Sequence, residues 1–190
     1  MLSKLFGGLD DLGSADGYLD EILEIRDRIR LFAGCSQDEI RQICRYLHCF
    51  AVPRNHQLVE AGKGGNFLLL LLTGAAETRE HIPGIGREKL ADVVPGTTLG
   101  ETSLVDGQPY PVSCVTTLPT DFAVLTREAL NSLMLQHPRL ANKLLLTLLA
   151  MLAERLRETF NRELPCALAH GSVHRAWCGQ GKQLLKEVTS

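Results

Sequence analysis

Between Phe50 and Leu125 the chain is cut by turn-forming residues about every ten positions, and this rhythm limits what it can fold into. The breaks are Val52-Pro53, Gly62-Lys63-Gly64-Gly65, Thr73-Gly74, Pro83-Gly84-Ile85-Gly86, Pro95-Gly96 and Asp106-Gly107. The stretches between them are too short for typical helices and too apolar for loops. Phe67-Leu68-Leu69-Leu70-Leu71-Leu72, closed by glycine turns on both sides, predicts a strand buried on both faces. Short strands at this spacing predict a jelly roll or barrel.

Helical signals flank this region. Gly7, Gly8, Gly13 and Gly17 predict a flexible lead over residues 1–17. Tyr18 to Arg30 predicts one short helix with Leu19, Ile22, Leu23 and Ile29 on a common face. Ser36-Gln37-Asp38-Glu39 reads as a capping box, opening a helix that carries Ile40, Ile43, Cys44 and Leu47 inward. Helix returns at Thr126 or Arg127, and Pro138 ends or turns it.

Leu140 to about Arg162 then runs without glycine or proline. A helix of roughly 23 residues extends about 35 Å, longer than a roll needs. It carries two apolar tracks: Leu145, Leu149, Leu152 and Leu156 in one, Leu144, Leu148 and Met151 in the other. One track is expected to cover the roll and the other to meet a second copy in a homodimer. Pro165 is expected to end this helix and leave a short tail. The expected layout is a lead at 1–17, a domain at 18–138, a dimerisation helix at 139–163 and a tail at 164–190.

Composition narrows the function classes. Net charge is −2 and 22% of residues are charged, so no basic surface for a sequence-independent grip on nucleic acid is expected. No apolar run is long enough to cross a bilayer, and no secretory signal opens the chain. The six cysteines show no secreted disulfide framework, which points to the cytoplasm. No nucleophile elbow, phosphate loop or recognisable acid pair is present, so enzymatic chemistry is not expected.

The chemistry concentrates at Gly100 to Pro109: a glycine turn, one acid, a small hydroxyl residue, a short apolar helical turn and a second turn. Glycine lets backbone N–H groups approach a ligand, and the free N–H groups of a helical first turn favour negative charge. Tyr110-Pro111-Val112 follows, where such a cradle would be expected to place a cation.

Gly100-Glu101-x-Ser103-Leu104 resembles the phosphate-binding cassette of the cyclic-nucleotide-binding domain family. The similarity runs from about Leu31 to about Arg162. It takes in Leu31-Phe32, Glu60-Ala61-Gly62, Gly74, Pro95-Gly96 and Pro138-Arg139-Leu140-Ala141. The resemblance implies an α+β fold: a β-roll of the double-stranded β-helix or jelly-roll type, with flanking helices and a long C-terminal helix.

It also implies roles within a ligand-binding set of Gly100, Glu101, Thr102, Ser103, Leu104, Tyr110, Pro111 and Val112. Glu101 would bond the ribose 2′-hydroxyl, and N–H groups around Thr102 to Leu104 would face the cyclic phosphate. The family places an arginine where Tyr110 stands, then a small hydroxyl residue and alanine where Pro111 and Val112 stand. Losing an arginine–phosphate pair costs about 1.5–3 kcal/mol of binding. The ring of Tyr110 could stack on a base or fill the pocket itself. Arg79 and Arg87 are the cations that could stand in.

The expected function is a regulatory sensor module that signals to a protein partner, with a cyclic nucleotide as possible ligand and no cofactor. Transcription factors of the family carry a winged helix-turn-helix after the long helix. The stretch after Pro165 is too short for one and carries few basic residues, so DNA binding is not expected. The alternatives are a ligand-free interaction scaffold and a metal- or redox-responsive sensor. Cys166, His170, His174 and Cys178 recur every four residues and form the candidate metal set, provided Gly171 folds the segment back. Cys35, Cys44 and Cys49 are a weaker cluster set, with core packing the competing role. His81 is a remote haem ligand candidate; His48 and His56 read as surface residues beside turns.

Overall fold

The structure, a computed structural model, describes residues 6–82 and 86–169. The chain divides into two compact units, one ending at Leu149 and one beginning at Ala150. The first holds, in chain order, β1 (Asp10–Ser14), α1 (Leu19–Glu24), α2 (Gln37–Cys44), β2 (His48–Val52), β3 (Gln57–Val59), β4 (Phe67–Leu71), β5 (Ala76–Ile82), β6 (Gly86–Val93), β7 (Thr98–Leu99), α3 (Glu101–Asp106), β8 (Ser113–Thr116), β9 (Thr120–Thr126) and α4 (Arg127–Gln136). Helix α5 (Pro138–Ala169) starts in this unit and supplies the described part of the second.

The strands pair antiparallel into a five-stranded sheet ordered β1-β2-β9-β4-β7 and a four-stranded sheet ordered β3-β8-β5-β6. This is the α+β roll that the turn rhythm predicts. Strand β4 is the expected buried run, with every residue inaccessible. Leu68 and Leu70 point into a core shared with the helices, while Phe67, Leu69 and Leu71 point into a second core inside the roll. Strand β9 alternates in the same way, Ala123 and Leu125 to the helices, Phe122 and Val124 to the roll. A one-residue slip would exchange these sets, so burial on both faces fixes the register.

The helical core gathers Ile22, Ile40, Ile43, Leu130, Leu133, Leu144 and others against that sheet. The capping box forms as expected and opens α2. Thr126 caps α4, its hydroxyl accepting from the Ala129 N–H at 3.1 Å.

The single helix expected over Tyr18–Arg30 is broken: α1 ends at Glu24, and 3-10 turns follow at Arg26–Arg28 and Arg30–Phe32. One α-helix would put Ile29 and Leu31 about 200° apart. The break lets Ile29, Leu31 and Phe32 all bury. The flexible lead expected over 1–17 is also corrected. Residues 10–14 form edge strand β1, and Gly13 (φ 82°) sits at its bulge opposite β2. Its glycine serves a left-handed bend rather than disorder.

Helix α5 continues through Pro165 to Ala169, where a stop was expected. A proline φ suits a helix; the residue removes one N–H, the donor to the carbonyl at 161, and the other backbone bonds of the helix remain. The outward track also shifts. Leu144 and Leu148 are buried, but Leu145 leans on the helical core. Leu146, Leu149, Leu156 and Phe160 are the exposed ones. Leu145 and Leu152 lie about 90° from the buried track, whereas Leu146, Ala153 and Phe160 lie nearly opposite it.

One polar contact ties α2 to α5. The Glu39 carboxyl accepts from the Ser36 N–H at 2.7 Å and from Lys143 Nζ at 2.7 Å. The Lys143 bond first, then the Ser36 bond, holds its pKa below the ordinary 4.5. A depressed carboxylate stabilises the fold above its unfolded pKa and stops doing so as pH falls through its folded one. Glu39→Gln should therefore lower the unfolding free energy at pH 7 by up to about 1 kcal/mol for a pair this exposed, read as a lower urea midpoint. The two proteins should converge once the pH has fallen below the folded pKa of Glu39. A pH-independent difference between their midpoints would refute the assignment.

Candidate functional site

The site is built on β7, α3 and the loop to β8. Thr98 and Leu99 pair with Leu70 and Leu69, which fixes the start of the cassette to β4, at one edge of the five-stranded sheet. Gly100 turns the chain at φ 84°, a left-handed conformation that favours glycine. Space demands glycine there as well. A Cβ would stand 2.8 Å from the Phe67 carbonyl oxygen and 2.7 Å from a ring carbon of Tyr110.

Glu101 is buried at 1% exposure, and its Oε1 accepts from the hydroxyl of Thr98, itself buried. Ser103 is fully buried. Among the described residues, its Oγ is the one buried side-chain oxygen or nitrogen without a hydrogen-bond partner. Leu104 turns into the helical core. Thr102 is exposed at the outer side of the turn. The structure thus brings Gly100, Glu101, Thr102, Ser103 and Leu104 together on one short turn whose first N–H groups are free of intrahelical partners.

Tyr110 closes the same site from the other side. Its ring is 5% exposed and its hydroxyl donates to the Phe67 carbonyl at 3.0 Å. The ring lies where a side chain on Gly65 would be: a Cβ there would meet Tyr110 Cζ at 2.1 Å. It therefore occupies the slot between Gly65 and Gly100. Its backbone is fixed too, the N–H donating to Lys63 O at 3.0 Å and the carbonyl accepting from Gly62 N–H at 2.9 Å. Burial pushes the phenol pKa well above its ordinary value, so the ring is neutral. This position of the ring, between Gly65 and Gly100, is what bears on the two roles open to Tyr110, stacking on a base or filling the pocket. Pro111 is exposed and Val112 half-buried beside it.

Arg127 is the cation that sequence reasoning missed. Its Nε donates to Leu104 O at 3.0 Å and its Nη2 to Ser103 O at 3.3 Å, binding the carbonyl end of α3. A signal was there: arginine at the first position of a helix opposes the helix dipole and calls for a partner elsewhere. Arg79, a stand-in candidate, is committed to Glu77, its Nε donating at 2.6 Å. The side chains of Arg87 and His81 lie outside the described residues.

The cysteine and histidine candidates separate. Cys44 and Cys49 are buried in the helical core, and burial pushes both thiols up to about 12. Cys35 is half-buried, its pKa also raised by burial. Among the described residues, no group of three His, Cys, Asp or Glu side chains could hold a metal ion. The side chain of Cys166, and all of His170, His174 and Cys178, lie outside the described residues. His48, expected at a surface turn, sits in β2, with Nε2 2.6 Å from Asp11 Oδ1 and its ring 4.9 Å from Phe50. Among the described residues, no helix is long and apolar enough to cross a membrane.

Comparison with known proteins matches this geometry. The sequence profile of the cyclic nucleotide-binding domain matches residues 50–137. The chain is 30% identical over 144 residues to a CRP-like cAMP-activated global transcriptional regulator of Mycobacterium tuberculosis, covering 75% of this chain and 61% of that protein. It is 32% identical over 129 residues to the cyclic AMP receptor protein of Thermus thermophilus, covering 67% of this chain and 57% of that one. The chain thus spans about three fifths of the curated relatives it matches. A crystal structure of a cyclic nucleotide-binding domain from Methylobacillus flagellatus superposes with a TM-score of 0.74 at 46% identity, covering 85% of this chain and 90% of that one. With the roll, the Gly-Glu turn and these relatives in agreement, the chain belongs to the cyclic nucleotide-binding domain family.

Proposed function

We propose that this chain is a regulatory module whose cassette is occupied by its own Tyr110, so that it binds cyclic AMP weakly and signals to a protein partner as a homodimer. The observation that carries the reading is the Tyr110 ring between Gly65 and Gly100, its hydroxyl on Phe67 O. The curated relatives are cyclic-AMP-responsive regulators by name, which supplies the ligand class. The family's cassette presents an arginine to the cyclic phosphate at this position. Here a neutral ring takes the volume, and Arg79, the described stand-in candidate, is committed to Glu77. Glu101 and the N–H groups of α3 remain in place for a ribose and a phosphate, so the cassette is closed rather than dismantled.

Homodimer output rests on the solvent face of α5. Leu146, Leu149, Leu156 and Phe160 are 67%, 63%, 57% and 44% exposed. With Ala153 they recur at steps of three and four, the spacing of a coiled-coil seam. Such a row on a solvent-facing helix is stabilised by a matching row from a second copy.

The reading is tested first by titration calorimetry with cyclic AMP. The missing charge pair should weaken wild-type binding by about 10- to 150-fold relative to an arginine-bearing cassette. Tyr110→Arg with Pro111→Ser should recover at least about tenfold of it. Submicromolar affinity in the wild type would sink the proposal. No gain in the double variant would favour the ligand-free scaffold.

The seating of the ring is checked by a double-mutant cycle. Gly65→Ala should destabilise the wild type and be close to neutral beside Tyr110→Ala, a coupling of at least about 1 kcal/mol in denaturant unfolding. Equal costs in both backgrounds would show that the ring is elsewhere.

Sedimentation at micromolar concentration should give a dimer, and Leu149→Glu with Leu156→Glu a folded monomer. A monomeric wild type would refute dimerisation through this helix.

A further inference from the structure

Inside the roll, Phe6 closes a cluster of rings supplied by three strands. Its centroid lies 4.8 Å from Phe50 on β2, 5.2 Å from Phe67 on β4 and 5.9 Å from Phe122 on β9. It is 7% exposed, as buried as a core residue. The three rings it meets are held by ladder pairing on neighbouring strands. Among the described residues, no ladder pairing supports Phe6. It precedes β1, whose ladder with β2 begins only at Asp10. The turn from Phe6 to Leu9 is closed by a bond within itself, Leu9 N–H to Phe6 O at 3.0 Å. Two glycines separate them, Gly8 at φ 150°.

Beside this segment lies a cleft of about 270 Å³ that opens to solvent, lined by Phe6, Gly8, Leu9, His56, Leu58 and Phe122 among others. Withdrawal of the Phe6 ring would join this space to the volume of a benzyl group. The sum falls in the range of pockets that hold small ligands, at least about 300 Å³. The walls would be the rings of Phe50, Phe67 and Phe122 with Leu58, and the polar groups at the rim His56 and Gln57.

We propose that Phe6 to Leu9 is a displaceable plug, and that the chamber it closes takes an uncharged, planar aromatic small molecule, stacked among Phe50, Phe67 and Phe122, with a hydrogen-bonding edge toward His56 and Gln57. The aromatic walls select a flat apolar body, because rings pack by offset stacking and edge contacts. The lining carries no fixed charge to receive a phosphate. The cleft's lining residues come from the plug, β3, the residue before it and β9, none of them from α3, while the deeper wall Phe67 also meets the Tyr110 ring at 5.5 Å.

The plug is also joined to the helices. Strand β1 follows it, bulged at Gly13 and held at Asp11 by His48. Ala15, directly after β1, is fully buried in the helical core, its N–H on Leu47 O at 3.1 Å. Release of Phe6 would loosen an edge strand that ends among the helices.

The test uses the full chain and the uncharged fluorescent probe N-phenyl-1-naphthylamine. A plug that competes with the probe lowers its apparent affinity by the fraction of molecules that are open. Phe6→Ala, shown to fold by circular dichroism, should bind the probe at least about tenfold more tightly than wild type. Equal affinity, or no saturable binding by either protein, overturns the proposal. Hydrogen exchange on the wild type gives a second reading that stands even if Phe6→Ala does not fold. Saturating probe should speed exchange at residues 9–14 and slow it at Gln57–Val59. A wild type that does not bind the probe, or exchange at 9–14 that is unchanged or slowed, overturns the proposal as well.

Discussion

The structure depends on a sheet with two buried faces. Strands β2, β4 and β9 send alternate side chains into different cores, Leu68 and Leu125 toward the helices, Phe67 and Val124 into the roll. Neither face can be repacked alone, since a side chain belongs to one core or the other by its parity. That constraint places the cassette. Thr98 and Leu99 take the edge beside β4, and Gly100 must then turn at once against the Phe67 carbonyl. Glu101 and Ser103 are buried because the turn starts at a sheet edge already covered on both sides.

Position 110 shapes the slot beside the cassette turn. An arginine at 110 would place a charge in an enclosed site, and a buried charge is tolerated only with a partner. Such a site is satisfied by its ligand's phosphate. Tyrosine reverses this requirement. Its ring adds apolar burial, its one polar atom finds the Phe67 carbonyl, and the slot is complete without an anion. Gly65 and Gly100, which leave room for close approach of a ligand, leave the same room for the ring. What remains unsatisfied is the Ser103 hydroxyl, on the side of the turn that the ring does not reach with a hydrogen bond.

Much of this was legible in the residues, and the omissions share a cause. Turn spacing, the Phe67–Leu72 run and the capping box at Ser36 are local patterns, and each produced the expected element. The Gly-Glu turn carried the family. The missed features depend on partners distant in sequence. Phe6 reads as one aromatic in a glycine-rich lead; its burial follows from Phe50, Phe67 and Phe122. Arg127 reads as the start of a helix; its role comes from carbonyls 23 and 24 residues earlier. The outward face of α5 was misplaced by part of a turn: Leu149 and Leu156 of the expected track are exposed, but the face is centred nearer Leu146 and Phe160, and Leu145 leans on the core. Tyr110 was legible as a departure from the family's pattern, but its place against Gly65 was not, since that contact joins residues 45 positions apart.

The same two-faced sheet gives the domain a way to transmit a change. A shift in the roll interior cannot stop at Phe122 or Phe67. The neighbouring residues on those strands, Ala123 and Leu68, belong to the core that holds Leu144 and Leu148 of α5. Side chains in a close-packed core move together or leave a void, and voids are costly. Arg127 adds a polar route, joining the carbonyl end of the cassette turn to the first residue of α4. Lys143 and Glu39 add another between α2 and α5. The alternating residues of β4 and β9 therefore join the interior of the roll to the helical layer.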